Sequence, residues 1–250
     1  MIKDRIANVD FTPIVAEVVK WRTNSDIASI GGAVFESKLA EALCDDDYVV
    51  FTQKEVASLV DEGVSFDFPV SWDTIKSESH VLGSPFYAVD LFEFERDGLV
   101  MTDAVSLKTS VTDSNSNVFV VNDNEGVVVP NYINGEDTYL GKVLTAIIRP
   151  TQGTFSVFYF DGNFSEVVAN LEMNTDKKDN LVFRSTDKPT NLVKATNRHS
   201  DKKANAKTTS FDRGVTVKPA YLASFAQLVT SGQFDSVEIK TMIVSDLLSR

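Results

Sequence analysis

The sequence predicts an α/β or α+β fold: one domain over residues 1–250 with a mixed central β-sheet flanked by helices. Three observations predict it. Apolar residues recur at helical spacing up to Gly63, and beyond it the pattern changes to strands. The run "GTFSVFYFDG" is too continuously apolar to belong to a half-exposed strand. Hydrophobic residues make up 43% of a 250-residue chain and charged residues 24%, enough apolar material for a sizeable core.

In chain order, Pro13 stands at a first helical position after Asp10, and Ile14, Val15, Val18, Val19 and Trp21 continue a helix to about Arg22. "GGAVFESKLAEALC" follows as a second helix, with Val34, Phe35, Leu39, Ala42 and Leu43 on its apolar face. "QKEVASLVDEG" is a third, closed by Gly63. These make the N-terminal part, residues 10–63, helical. Strands are expected at "VSFDFPV", at "FYAVDLFEFER" and at "LVMTDAVSLKTS", the last two joined by a turn at Asp97 and Gly98. "NVFVV" and "GVVVP" read as a second hairpin, "DTYLGKVLTAIIRP" as a helix stopped before Pro150, and "GTFSVFYFDG" as a central strand. The tract from Asp176 to Ala206 reads as loops or edge strands. "TTSFDRGVTVKP" returns to strand, Pro219 opens a helix through Val229, and "DSVEIKTMIVSDLLSR" is a further strand or helix.

Several chemistries are excluded by composition. One cysteine, Cys44, rules out an internal disulfide and any cysteine-based zinc cluster, and two histidines, His80 and His199, rule out a histidine-rich metal site. A metal would need carboxylates. No Gly-rich phosphate loop, Rossmann fingerprint or Ser/His/Asp arrangement is present. The charges within "MIKDRIANVDFTP" do not suit a secretion signal, and no run approaches the length of a membrane span, so a cytoplasmic protein without a membrane partner is expected.

The net charge of −12 is unevenly spread. Residues 1–137 hold 9 Lys/Arg against 25 Asp/Glu, and residues 138–250 hold 15 against 11. A basic, loop-rich segment, 176–218, contains Lys188, Lys194, Arg198, Lys202, Lys203, Lys207 and Arg213 among Thr, Asn and Ser, residue types that contact phosphate oxygens. Scarce aromatic residues there favour a duplex backbone over stacked single strands.

The hairpin "DLFEFERDGLVMTDAVSLKTS" carries the candidate chemistry. Side chains alternate along a strand, so Ser106 and Lys108 share one face, and a simple register brings Asp90 to the same end as Lys108. A carboxylate there can bind a divalent cation, and an adjacent lysine can position water and stabilise charge on a phosphate. Structural roles explain the same residues individually: Asp90 as a strand-end residue, Lys108 as an edge-strand lysine, Glu36 as a solvated neighbour of Lys38 and Glu41.

A helix containing Glu36 ("GAVFESKLAEAL"), followed by a hairpin with Asp90 on one strand and "SLKTS" on the next, resembles the PD-(D/E)xK nuclease superfamily, particularly type II restriction endonucleases. The resemblance runs from about Gly31 to Phe160, where it implies a helix and a strand after the hairpin. It implies a Mg²⁺-dependent endonuclease acting on double-stranded DNA as a homodimer, with Asp90 and Glu36 as metal ligands. Lys108 would be the catalytic lysine, with Ser106 in the position between. Val89 stands where the family has proline, and Ser106 where it usually has Asp or Glu; some restriction enzymes carry serine there and recruit a glutamate from elsewhere. Lys194, Arg198, Lys202, Lys203, Lys207 and Arg213 would contact DNA. A second E-x-K, Glu238 and Lys240 with Asp235 and Asp212 as partners, competes for the site. The acidic first half also suits a non-enzymatic protein, a viral component or a DNA-mimicking inhibitor, and the basic tract suits DNA binding without cleavage.

Overall fold

A computed structural model describes residues 2–23, 30–113, 118–121, 127–177, 180–187, 189–197 and 213–235. The fold is α+β, with a mixed six-stranded sheet, a separate antiparallel five-stranded sheet and helices.

Three helices come first: α1 (Ile2–Ile6), α2 (Phe11–Thr23) and α3 (Ile30–Ala42). Strand β1 (Tyr48–Thr52) runs directly into α4 (Gln53–Asp61), and α5 (Trp72–Glu78) precedes β2 (Leu91–Glu95) and β3 (Val100–Val111). After β4 (Val118–Val121) and α6 (Val128–Ile133) come two long strands, β5 (Tyr139–Arg149) and β6 (Thr154–Asn163), then the short helix α7 (Phe164–Val167). The remainder is β7 (Glu172–Thr175), β8 (Leu181–Arg184), β9 (Asn191–Asn197), β10 (Arg213–Val217), a 3₁₀ helix (Pro219–Ser224) and β11 (Gln227–Gln233).

The first sheet has the order β1-β2-β3-β5-β6-β11, antiparallel throughout except for the parallel pair β3 and β5, which aligns Ser106 with Val143 and Lys108 with Thr145. The second sheet has the order β4-β10-β9-β8-β7. Alternation along the strands sorts the core. Val105, Leu107, Leu144, Ala146 and Ile148 pack against α1, α2 and α3, whereas Phe92, Phe94 and Ala104 pack with Val56 of α4 and Ile75 of α5. Further along that second face, Ile147, Phe158 and Phe160 join Phe183, Val193, Val215 and Val217 of the second sheet. The first sheet is therefore the middle layer, with helices α1 to α3 on one side, and α4, α5 and the second sheet on the other.

Six expectations are corrected. "DTYLGKVLTAIIRP" forms β5, not a helix, because nearly every residue from Leu140 to Ile148 is buried and both faces are covered. "GVVVP" contributes to α6; Pro130 sits in the first turn, where its missing N–H is not needed. Of "VSFDFPV" only Asp67 pairs, in a single bridge to Val100. Residues Phe86 to Ala88 lie in turns, and β2 begins at Leu91. The helix opened by Pro219 is a 3₁₀ helix ending at Ser224, followed by β11. The tract from Asp176 to Ala206 contains β8 and β9, both inside the second sheet and not at its edge. Among the described residues no helix is long and apolar enough to cross a membrane.

Candidate active site

The hairpin register creates the site. Leu91 pairs with Val105, and the Asp90 amide donates to the Val105 carbonyl at 3.0 Å, which sets Asp90 beside Ser106 at the end of β2. The Asp90 Oδ2 accepts from the Leu107 amide at 2.5 Å and from the Ser106 hydroxyl at 3.3 Å. Lys108, two residues further along the same face, donates to Ser106 Oγ at 2.8 Å and lies 3.8 Å from Asp90 Oδ2. Ser106 thus occupies the place between carboxylate and ammonium and bonds to both. The Asp90 Oδ1 accepts no hydrogen bond from a described residue. Asp90 and Lys108 are each partly exposed, so an incoming molecule can reach them.

Glu36 comes from the opposite layer. Phe35 and Leu39 anchor α3 in the core, and Glu36 between them is half-buried. Its pKa is pushed up to about 7, first by burial, then by the Asp90 carboxylate, with a smaller rise from Glu55, against the opposing pull of Lys54 and Lys108. Asp90, Ser106 and Lys108 are in contact, and Glu36 is within electrostatic reach of Asp90 and Lys108. Among the described residues, no set of three His, Cys, Asp or Glu side chains converges tightly enough to enclose a metal ion.

The chain matches no family model, no curated protein and no solved structure. The candidate site accordingly rests on its own geometry.

Two further charges that act on Glu36, Lys54 and Glu55, carry no sequence signal that links them to Asp90. They are placed by α4, whose start is fixed by a capping box: Thr52 Oγ1 accepts from the Glu55 amide at 3.2 Å, and Glu55 Oε2 accepts from the Thr52 amide at 2.7 Å. The Gln53 amide then donates to the Asp90 carbonyl at 2.9 Å, tying the first turn of α4 to the hairpin. "TQKE" is a sequence signal for this cap, but nothing in it says that the capped turn meets Asp90.

The other expected site residues are dispersed. Lys194 lies on β9 with its ammonium 3.2 Å from Asp176, so it is already paired. Arg213 opens β10, opposite Asn197. Lys188, Arg198, Lys202, Lys203 and Lys207 lie outside the described residues, as do Asp212, Glu238 and Lys240 of the competing E-x-K. The acidic run after Cys44 is partly structural: Asp45 accepts from Arg5 at 2.9 Å and from the Tyr48 amide at 2.8 Å.

Proposed function

We propose that this chain is a Mg²⁺-dependent endonuclease that hydrolyses DNA phosphodiester bonds at the Asp90, Ser106 and Lys108 cluster. The observation that carries the reading is the Ser106-bridged contact between Asp90 and Lys108, whose charges act on Glu36 of α3. Those four residues come from α3, the residue that precedes β2, and β3, in the chain order on which the nuclease resemblance rests.

The donor set suits Mg²⁺, which binds through one or two carboxylates and keeps water and phosphate oxygens as its remaining ligands. Asp90, through Oδ1, and Glu36 would be the two. When bound, such an ion polarises phosphoryl oxygens and makes water more acidic. The chain's own residues supply the rest. Lys108 presents an ammonium to the anionic phosphate and to the charge that builds on it, and Ser106 and Asp90 hold that ammonium in one position before substrate arrives. Lys54, an exposed cation whose charge acts on Glu36, adds a second positive group, and long-range attraction to a polyanion follows from the basic stretch from Lys188 to Arg213. A homodimer would present two such sites to the two strands.

The test is incubation of the protein with supercoiled plasmid and Mg²⁺, with chelator controls, over a range of salt. Nicked or linear product is expected, and Lys108→Ala and Asp90→Ala should each lower the rate at least about 100-fold with unchanged circular dichroism. Cleavage at the wild-type rate by Lys108→Ala would exclude the site. Salt-sensitive DNA retention without any cleavage would make the protein a binder, not a nuclease.

A further inference from the structure

At the opposite end of α4 lies an open cleft of about 410 Å³, lined by Val64, Phe66, Asp67, Phe68, Val70 and Trp72 among others. Its aromatic wall is continuous: Phe66 and Phe68 have ring centres 5.6 Å apart, and Phe68 stacks on Trp72 at 5.4 Å with 20° between planes. The wall is fixed from behind, Phe66 by Phe94 at 4.8 Å and Trp72 by Phe92 at 6.0 Å. Its outer side is partly exposed, and Val70 at the mouth is 40% exposed. Rings held rigidly at a surface present their negative faces without further ordering.

Within the segment that builds this wall the charges have one sign. From Val60 to Asp73 the chain holds four acids, Asp61, Glu62, Asp67 and Asp73, and no lysine or arginine. Asp73 is neutralised by Lys76 at 2.8 Å. Asp61, Glu62 and Asp67 make no ion pair among the described residues. Asp61 and Glu62 also stand at the C-terminal end of α4, whose last turn contains no basic residue, so they add to the negative end of the helix dipole where it is least favourable. Aromatic faces combined with unpaired carboxylates attract an organic cation and repel an anion. The charge complementarity selects the occupant, because guanidinium is planar, weakly hydrated and able to stack on a ring while it pairs with a carboxylate.

We propose that this cleft docks an arginine-bearing segment of a basic protein partner, with a guanidinium against the Phe68 and Trp72 rings and paired to Asp67. The excess of 25 Asp/Glu over 9 Lys/Arg in residues 1–137 would steer such a partner to this half of the chain. The proposal is independent of the nuclease reading.

The test uses the full chain and a six-arginine peptide. With Trp21→Phe as background, Trp72 is the only tryptophan, and its emission should change saturably as the peptide is added. Asp61→Asn with Asp67→Asn should weaken binding about tenfold, whereas the charge-matched pair Asp46→Asn with Asp47→Asn should change it less than about twofold. A six-lysine peptide should bind several-fold more weakly. Equal losses from the two Asp pairs would mean general attraction to an acidic protein and would overturn the docking site. So would unchanged binding by Asp61→Asn/Asp67→Asn, equal affinity for lysine and arginine, or tighter binding of a neutral apolar peptide. All four aspartates are exposed, so these variants do not depend on repacking a core.

Discussion

Glu36 is the residue whose behaviour the sequence could least anticipate. Its place on a helix next to Lys38 and Glu41 suits solvent, and Lys38 does pair with Glu41 at 2.6 Å. Glu36 itself is half-buried, and burial together with the Asp90 charge holds its proton to about pH 7. That raised value has a sign for stability. The unfolded chain releases this proton near 4.5, so between 4.5 and 7 the folded state binds more protons than the unfolded one. Stability from this group is therefore greatest below about pH 4.5 and falls as pH rises to 7. Wild type should lose on the order of 2 kcal/mol across that window that Glu36→Gln does not lose, measured by urea unfolding at pH 4.5 and 7.5. An equal change in both proteins would mean that Glu36 is solvated. Asp90, Ser106 and Lys108 were legible because strand alternation and a short turn suffice to bring them together. Lys54 and the burial of Glu36 were not, since both depend on how α3 and α4 each pack on the sheet.

Among the elements, α4 joins the two surfaces of interest, its first turn at the acidic site and its last at the aromatic cleft. A nine-residue helix is too short to be stable alone, and its boundary is set by the Thr52 and Glu55 cap and by Val56 in the core. Thr52→Ala removes the hydroxyl that accepts from the Glu55 amide, and it should cost about 1 kcal/mol in urea unfolding. A change below a few tenths would show that burial of Val56 alone fixes the helix. The cap was readable because it is local. The strand β5 was not, because Leu140, Val143, Leu144 and Ile147 have the 0, 3, 4, 7 spacing of a helix face. What decides for strand is that Val143, Thr145 and Ile147 are as buried as Leu144, Ala146 and Ile148, so both faces are covered and helical amphipathicity has no solvent side to explain. The reverse error at α6 has the same origin: valines suited to a strand are buried at Val128 and Val129 without any ladder to join.

At the scale of the whole molecule, α1 closes the fold over two buried carboxylates of the first sheet. Asp103 accepts from the Ile2 amide at 3.2 Å and from the Ala104 amide at 2.9 Å and pairs with Lys142 of β5. Glu93, with no exposed side-chain area, is paired with Arg5 at 2.6 Å and accepts from the Thr102 hydroxyl at 2.9 Å. Arg5 also reaches Asp45 at 2.9 Å and the Leu43 carbonyl, so one side chain links α1, the end of α3, the turn before β1, and β2. Five residues cannot sustain a helix unaided, and α1 persists because Ile2 and Ile6 are fully buried and these ionic contacts fix its orientation. Removing one partner of a buried pair is far more harmful than removing both, since it strands a charge that has already left water. Arg5→Met should therefore destabilise by about 3–5 kcal/mol, and Arg5→Met with Glu93→Leu should recover most of that loss. The comparison is made by urea unfolding of the two single variants and the double variant at neutral pH. Additive losses would mean that Arg5 acts through Asp45 and Leu43 alone, and that Glu93 is satisfied by Thr102 without it.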